Sequence, residues 1–514
     1  MSYTVVWFKR DLRVEDHMPL AYAARRGEVL CLYVIEPELW QQPDCSSQHY
    51  FFAQESVREL VQELRVTGVE LQVRIGHPVD VFTQIHRLRP FDELVSHQET
   101  GNAYTYSRDQ AVANWCRQNQ VRWTEFAQNG VVRALKNRDE WAGCWAAHME
   151  RPCVARPVSG SIRGIQVHQP PVIWPTPQEL GMQRIDPPAR QTGGRSAGLQ
   201  ILRSFLSERS EHYSAGISSP LKASNACSRI SPYLAYGCLS MREVVQATLA
   251  QQQEISEREE AGLRWRQIGL SAFMSRLHWH CHFIQKLETE PGIEFENMHR
   301  AYDGIREHEW NQQHFEALTE GRTGWPMVDA SVMMLRHTGW INFRMRAMLV
   351  SVATYTLWLH WRPVGLWLAR HFLDYEPGIH WSQMQMQAGT TGIDTVRMYN
   401  PIKQAREHDP HGHFVRRWLP FMRRVPDTWL FEPWRMPLSM QRERAVLSGG
   451  NIPSPLTDLD LANRLAKNRL YSIRHSAEAR IMVGQIVHKH ASRSGRSGKR
   501  PQAAKDHRQQ GFDF

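Results

Sequence analysis

Two periods of apolar residues divide the chain. Over the first 126 residues, short runs rich in β-branched and aromatic side chains (4–8, 29–35, 70–75, 92–96 and 122–126) alternate with helical spacing such as 51–65. Strands alternating with helices predict an α/β unit with a doubly wound parallel sheet, which takes ligands at the carboxyl ends of its strands. No GxGxxG follows the first run, so an ordinary dinucleotide site is not expected there. Lys9-Arg10-Asp11-Leu12-Arg13 stands in its place, and a charged loop ion-paired to its neighbours accounts for it. From about 198 to 470 the spacing becomes helical, as in AGLQILRSFL and LSAFMSRLHWHCHFIQKLE. Residues 152–195, rich in Pro, Gly and Ser, are too long for an ordinary loop and predict a connector draped over the second domain. The expected division is an α/β domain over 1–135, a linker over 136–197, a larger all-helical domain over 198–486 and a basic disordered tail over 487–514.

Composition narrows the classes. At 514 residues the chain exceeds what one core supports, in line with two domains. No run of 18 apolar residues occurs, and the start has no signal-peptide layout. Eight cysteines without a CxxC spacing predict neither disulfides nor a metal site, and with them a reduced, cytoplasmic setting. The net charge of +10 suits a polyanionic partner. Half of it lies between 493 and 508, where six Lys/Arg face one Asp, so the body is only mildly basic.

The densest chemistry lies in residues 321–420. Apolar residues recur there at helical spacing (Val328, Val332, Leu335, then Trp340, Phe343, Ala347, Val350). Arg336, Arg344, Arg346, Arg362 and Arg397 interrupt them, and Asp374 and Glu376 precede a Pro-Gly turn. Each arginine alone is accounted for as a solvated side chain. Together they read as a pocket for a large polar ligand, because buried charges are costly unless paired. Earlier in the chain, Cys227-Ser228-Arg229-Ile230-Ser231-Pro232 precedes a helix; its hydroxyls and free amides suit an anion, and a simple N-cap at Ser231 suits the sequence as well.

The order GRTG-P-VDA, TGW-N-R-R, LDYE, AGTTG-D, R-YNP, KQ, DP-G and RRWLP, with VVWFKRDLRVEDH at the amino end, resembles the cryptochrome/DNA photolyase family of blue-light flavoproteins across nearly the whole chain. The resemblance implies FAD in the helical domain, an antenna role for the α/β domain, and damaged DNA as the partner of a monomer. It places Tyr213, Cys227, Ser228, Arg229, Ile230, Ser231, Phe273, Arg346, Asp374, Glu376 and His380 at the cofactor. Cys227 replaces a usual Thr, and His380 stands where an Asn commonly faces flavin N5, as a candidate proton donor.

The same resemblance puts Trp279, Arg276, His280, Phe343 and Met386 around the substrate. Arg276 replaces a glutamate, His280 an arginine, Phe343 an asparagine and Met386 a tryptophan of the cavity wall. Trp361 and Trp310 match two members of an electron-transfer chain whose inner tryptophan is here Met384, with Trp381 as a substitute. Arg344, Arg397 and Lys403 match positions facing DNA phosphates. The implied activity is light-driven splitting of cyclobutane pyrimidine dimers by reduced FAD. The alternatives are a blue-light photoreceptor and a (6-4) photolyase using His278, His280 or His282. Thr105 replaces a glutamate of folate binders, which leaves folate, a deazaflavin or no second chromophore open.

Overall fold

The computed structural model describes residues 3–168, 172–258, 263–443 and 454–490. Strands β1 (Tyr3–Phe8), β2 (Glu28–Ile35), β3 (Leu71–Ile75), β4 (Glu93–His97) and β5 (Arg122–Phe126) form a parallel sheet in the order β3-β2-β1-β4-β5. Each lies within a residue or so of its expected run. β1 is buried at every position, which explains why its apolar run is continuous rather than alternating. The strand order reverses between β1 and β4, so the loops after these two strands open the crevice where such sheets bind ligands.

The loop after β1 is charged but not exposed. The Asp11 carboxylate is 1% exposed and accepts hydrogen bonds from Lys9 N (2.7 Å), His17 Nε2 (2.9 Å) and His97 Nδ1 (2.8 Å). His17 Nδ1 in turn accepts from Leu20 N, so this cluster is a satisfied network tying β1 to β4.

The connector departs from expectation. It contains a helix, Trp141–Glu150, and a short strand β6 (Arg163–Gly164) that adds to the start of β2. It then crosses the helix Ser47–Thr67, where Tyr50 donates to Pro175 O (2.7 Å) and Arg190 pairs with Glu55 (2.6 Å). Its helix packs on Met241–Arg258, where Gln246 donates to Met149 O and Arg151 O, and Ala189 N–H donates to His337 O, so it lies over both units rather than the helical one alone. The reason is that the long Ser47–Thr67 helix offers both acceptors and apolar surface.

The helical unit begins at Arg195. Its axis is the helix Arg264–Thr289, which packs on Pro377–Ala388 and Met241–Arg258. Phe343–Ser351 lies beside Pro377–Ala388 and runs into a π-helical turn, Val352–Thr356. Among the described residues no helix is long and apolar enough to cross a membrane. Helical structure continues past the expected limit at 486: the helix Ala477–His490 ends with Lys489 and the buried His490 on the Glu290 carboxylate. The rest of the expected tail, 491–514, lies outside the described residues.

This last contact yields a pH test. The His490 hydrogen bond holds the Glu290 carboxyl down at about 2 against the cost of its partial burial. A depressed acid contributes stability that is full above its unfolded value, near 4.5, and is lost as pH falls toward 2. Glu290→Gln should lower urea resistance at pH 7, and the gap to wild type should shrink steadily from pH 5 to pH 3. A gap independent of pH would show that Glu290 does not anchor the helix through its charge.

Candidate functional site

Helix spacing builds one cavity. On Arg264–Thr289 the positions 276, 279, 280 and 283 share a face. On Pro377–Ala388 the positions 379, 380, 383, 384 and 387 do the same. These faces and the start of Phe343–Ser351 enclose a cavity of about 300 Å3. Trp340, Phe372, Trp279 and Phe283 give it flat aromatic walls. Trp279 and Phe283 stack at 5.7 Å.

Charge is arranged on one wall. Asp374 accepts from Arg346 Nη2 (2.9 Å) and from the Ser231 hydroxyl (2.7 Å). Burial alone would raise this carboxyl; Arg346 and Ser231 outweigh it and hold it below the usual range. Arg346 is steadied by Ile341 O (2.9 Å) and lies over the Phe372 ring (4.1 Å). Burial pushes the Glu376 carboxyl up to about 7 against the pull of Arg10, whose Nη2 is 3.2 Å away. Burial also holds His280 down to about 4 and His380 down to about 3, so both are neutral at pH 7.

Among the buried polar atoms without a partner in the described residues lining this cavity are Asp374 Oδ1 and His280 Nδ1. Buried polar atoms are normally satisfied, so a ligand with hydrogen-bonding groups is expected against them. An aromatic, anionic cofactor fits the flat walls, the Arg346 guanidinium and these two atoms.

The positions singled out from sequence separate into groups. Tyr213, Cys227, Ser231, Arg276, Trp279, His280, Phe343, Arg344, Arg346, Asp374, Glu376 and His380 all line the cavity. Phe273 stands behind Tyr213, edge-on to it at 6.0 Å. Arg229 has a left-handed backbone (φ 63°) and turns its side chain onto Trp340 (3.8 Å) and Gln191. Ser228 and Ile230 do not line the cavity. The Ser231 hydroxyl donates to Asp374 instead of capping the helix Ser231–Ala235, so the N-cap alternative fails.

Met386 is off the cavity face, and Gln383 and Met384 stand in the wall instead. His380 is not set up as a proton donor, because its Nε2 hydrogen bond goes to Gly365 O (2.9 Å) and burial keeps it uncharged. Of the three histidines at 278, 280 and 282, only His280 lines the cavity. His278 packs edge-on to Trp141 and Trp145, and His282 pairs with Arg138. Lys403 pairs with Glu407 (3.6 Å) and, like Arg397, lies outside the cavity wall.

Trp381 contacts Trp361 (5.9 Å) and His380 (4.8 Å), whereas Trp310 is 37% exposed and packs on Phe315. Asn342, Gln383 and Gln387 also line the site and were not singled out from sequence. The spacing 376, 379, 380, 383, 384, 387 carries the signal for the two glutamines.

Residues 4–139 match the family model described as DNA photolyase, and residues 273–472 the model described as the FAD binding domain of DNA photolyase. The chain is 27% identical to a deoxyribodipyrimidine photo-lyase of Vibrio cholerae over 84% of its length and 93% of that protein's. It is 26% identical to cryptochrome-2 of Arabidopsis thaliana, covering 94% of this chain and 80% of that one. The solved cryptochrome of Synechocystis superposes with a TM-score of 0.77 at 22% identity, covering 91% and 99% of the two chains. The fold joins an α/β sheet domain to a helical FAD-binding domain. The chain belongs to the cryptochrome/DNA photolyase family.

Arg346→Ala would leave Asp374 buried with only Ser231 as partner, a loss of about 3 kcal/mol for a broken buried pair. The purified variant should retain less than a tenth of the wild-type flavin-to-protein ratio. Wild-type retention would place the cofactor elsewhere.

Proposed function

We propose that the protein is a light-driven DNA photolyase acting on cyclobutane pyrimidine dimers. The observation that carries this reading is the cavity itself: the stacked pair Trp279–Phe283 stands in one wall with the guanidinium-bearing side chains of Arg276 and Arg344. An aromatic platform receives a flipped base, whose extrusion costs least where stacking is already damaged. Arg344 is suited to a backbone phosphate, which orients the duplex without reading sequence. FAD, bound and reduced, supplies the electron that splits the dimer. Arg276, always protonated, would stabilise negative charge as it develops on the substrate, in the place of a carboxylic acid. Arg346 with Asp374 would hold the cofactor's polar edge, while the apolar walls exclude water.

A second reading, a blue-light photoreceptor, is favoured by Arg276 and Phe343 in the cavity wall and by Met386 beside it, which the family resemblance marks as departures from dimer-repairing members. On either reading Trp381, in ring contact with Trp361, would replace the missing inner tryptophan as the route by which electrons reach the cofactor. A second chromophore would sit at the carboxyl edge of the sheet, where a cleft of about 330 Å3 is lined by Glu99, Asn102, Tyr106 and Trp123.

Incubating reduced protein with dimer-containing oligonucleotide in light and in dark should give repair in light alone; no repair in light decides for the photoreceptor. Arg344→Ala should weaken damaged and undamaged DNA binding alike, with a salt slope shallower by about 0.9. Trp279→Ala should instead erase the preference for damaged DNA. Trp361→Phe and Trp381→Phe should each slow photoreduction of oxidised protein at least tenfold and leave repair by pre-reduced protein unchanged. Loss of repair in the pre-reduced variants would assign these rings to the cavity's architecture.

A further inference from the structure

Glu376 faces two spaces. It is a lining residue of the large cavity and of a small polar chamber of about 30 Å3 walled by Arg10, Gln98, Glu99, Thr100, Gln128 and Asn129. Glu99 and Thr100 line in turn the cleft at the carboxyl edge of the sheet, whose wall includes Tyr106, 56% exposed. The three spaces thus stand in series, with a carboxylate at each junction. A water needs roughly 10–15 Å3 and two to four polar partners, so the chamber has room for about two waters and side chains to hold them.

We propose that Glu376 and Glu99 are the inner and outer stations of a proton path from the cleft to the large cavity. The proposal rests on the reading of that cavity as the FAD site.

Other groups in the cavity wall are unsuited to the task. Asp374 is kept ionised by Arg346 and Ser231. His380 spends its Nε2 hydrogen bond on Gly365 O, and His280 is held neutral. Glu376 differs, with burial and Glu99 raising its carboxyl and Arg10 lowering it, to about 7. The charged and titratable groups around it are Arg10 after β1, Glu99 after β4, Asp374 and Arg346 on the cavity wall, and His280 and Cys281 on Arg264–Thr289. Those around Glu99 are Arg108 (2.6 Å) and Lys9 (3.7 Å), so Glu99 passes a proton on without keeping it.

Arg10 is also held independently of Glu376, by Ala235 O (2.7 Å) and Tyr375 O (3.0 Å). Glu376 can therefore gain or lose its proton without releasing the loop.

The balance is simple. With a reduced viologen as donor, two molecules each lose one electron and no proton, so every proton that reaches the cofactor is drawn from solvent. Protons are taken up through the path: Glu376 gives its proton inward and regains one through the chamber from Glu99, which is refilled from the cleft. The carboxylates move protons only.

The test mixes flavin-loaded protein in weak buffer with a pH-indicator dye and reduced viologen, without oxygen, while dye and flavin absorbance are followed together. Glu99→Gln keeps its acceptor for Arg108, and Asn129→Leu removes a polar wall of the chamber. Both should slow proton uptake at least tenfold at an unchanged flavin-to-protein ratio. In the dark, infrared spectra of wild type should show a protonated carboxyl band that titrates near neutral pH and is absent from Glu376→Gln. Wild-type uptake rates in both Glu99→Gln and Asn129→Leu overturn the path. Failure of the wild type to retain flavin is a separate readout and sinks the cavity assignment instead.

Discussion

The Arg10 guanidinium joins the two halves of this protein. It leaves the carboxyl end of β1, donates to Ala235 O and Tyr375 O, and pairs with Glu376. Burial opposes its charge, and Glu376 together with Tyr236, Glu99 and Tyr375 outweighs that cost. The two carbonyls belong to separate segments, one after the short helix Ser231–Ala235 begins and one just before Pro377–Ala388. A single planar fork thus fixes the distance between the sheet's crevice and two walls of the cavity. Lysine, a point charge on a flexible stem, would not hold three acceptors in one plane.

Around that anchor the cavity sorts its charges by what each is paired with. Asp374 is ionised because Arg346 and Ser231 both donate to it. Glu376 is less firmly ionised because burial raises its carboxyl and Arg10 offsets only part of that. The histidines are neutral because burial outweighs the pull of Asp374 on each. The same few ångströms therefore hold a fixed pair, a titratable acid and uncharged rings. This permits binding of an anionic cofactor without leaving a net charge in an apolar space.

The aromatic content serves two ends that sequence position does not separate. Trp279 and Phe283 stack in the cavity wall, whereas Trp361 and Trp381 form a buried pair behind it, with Trp361 Nε1 donating to Asn297. Met384, in the wall itself, leaves His380 as the ring between Trp381 and the cavity.

Much of this was legible in the chain. Local periodicity determined the five long strands and the change from α/β to helix, because burial on one side imposes its period on the sequence. The motif order located Arg346, Asp374 and Glu376. What sequence could not set is direction. Met386 and Met384 differ by two positions, and only the packing of Pro377–Ala388 decides which reaches the wall. Arg229 and Ser231 are neighbours, yet a left-handed residue turns one onto Trp340 and leaves the other on Asp374. Protonation belongs to the tertiary level too. The charge state of His380 and the near-neutral titration of Glu376 follow from desolvation and from Arg10, which lies 366 residues away in the chain. A side chain's identity sets which proton it can carry, and its surroundings in the folded molecule set whether it does.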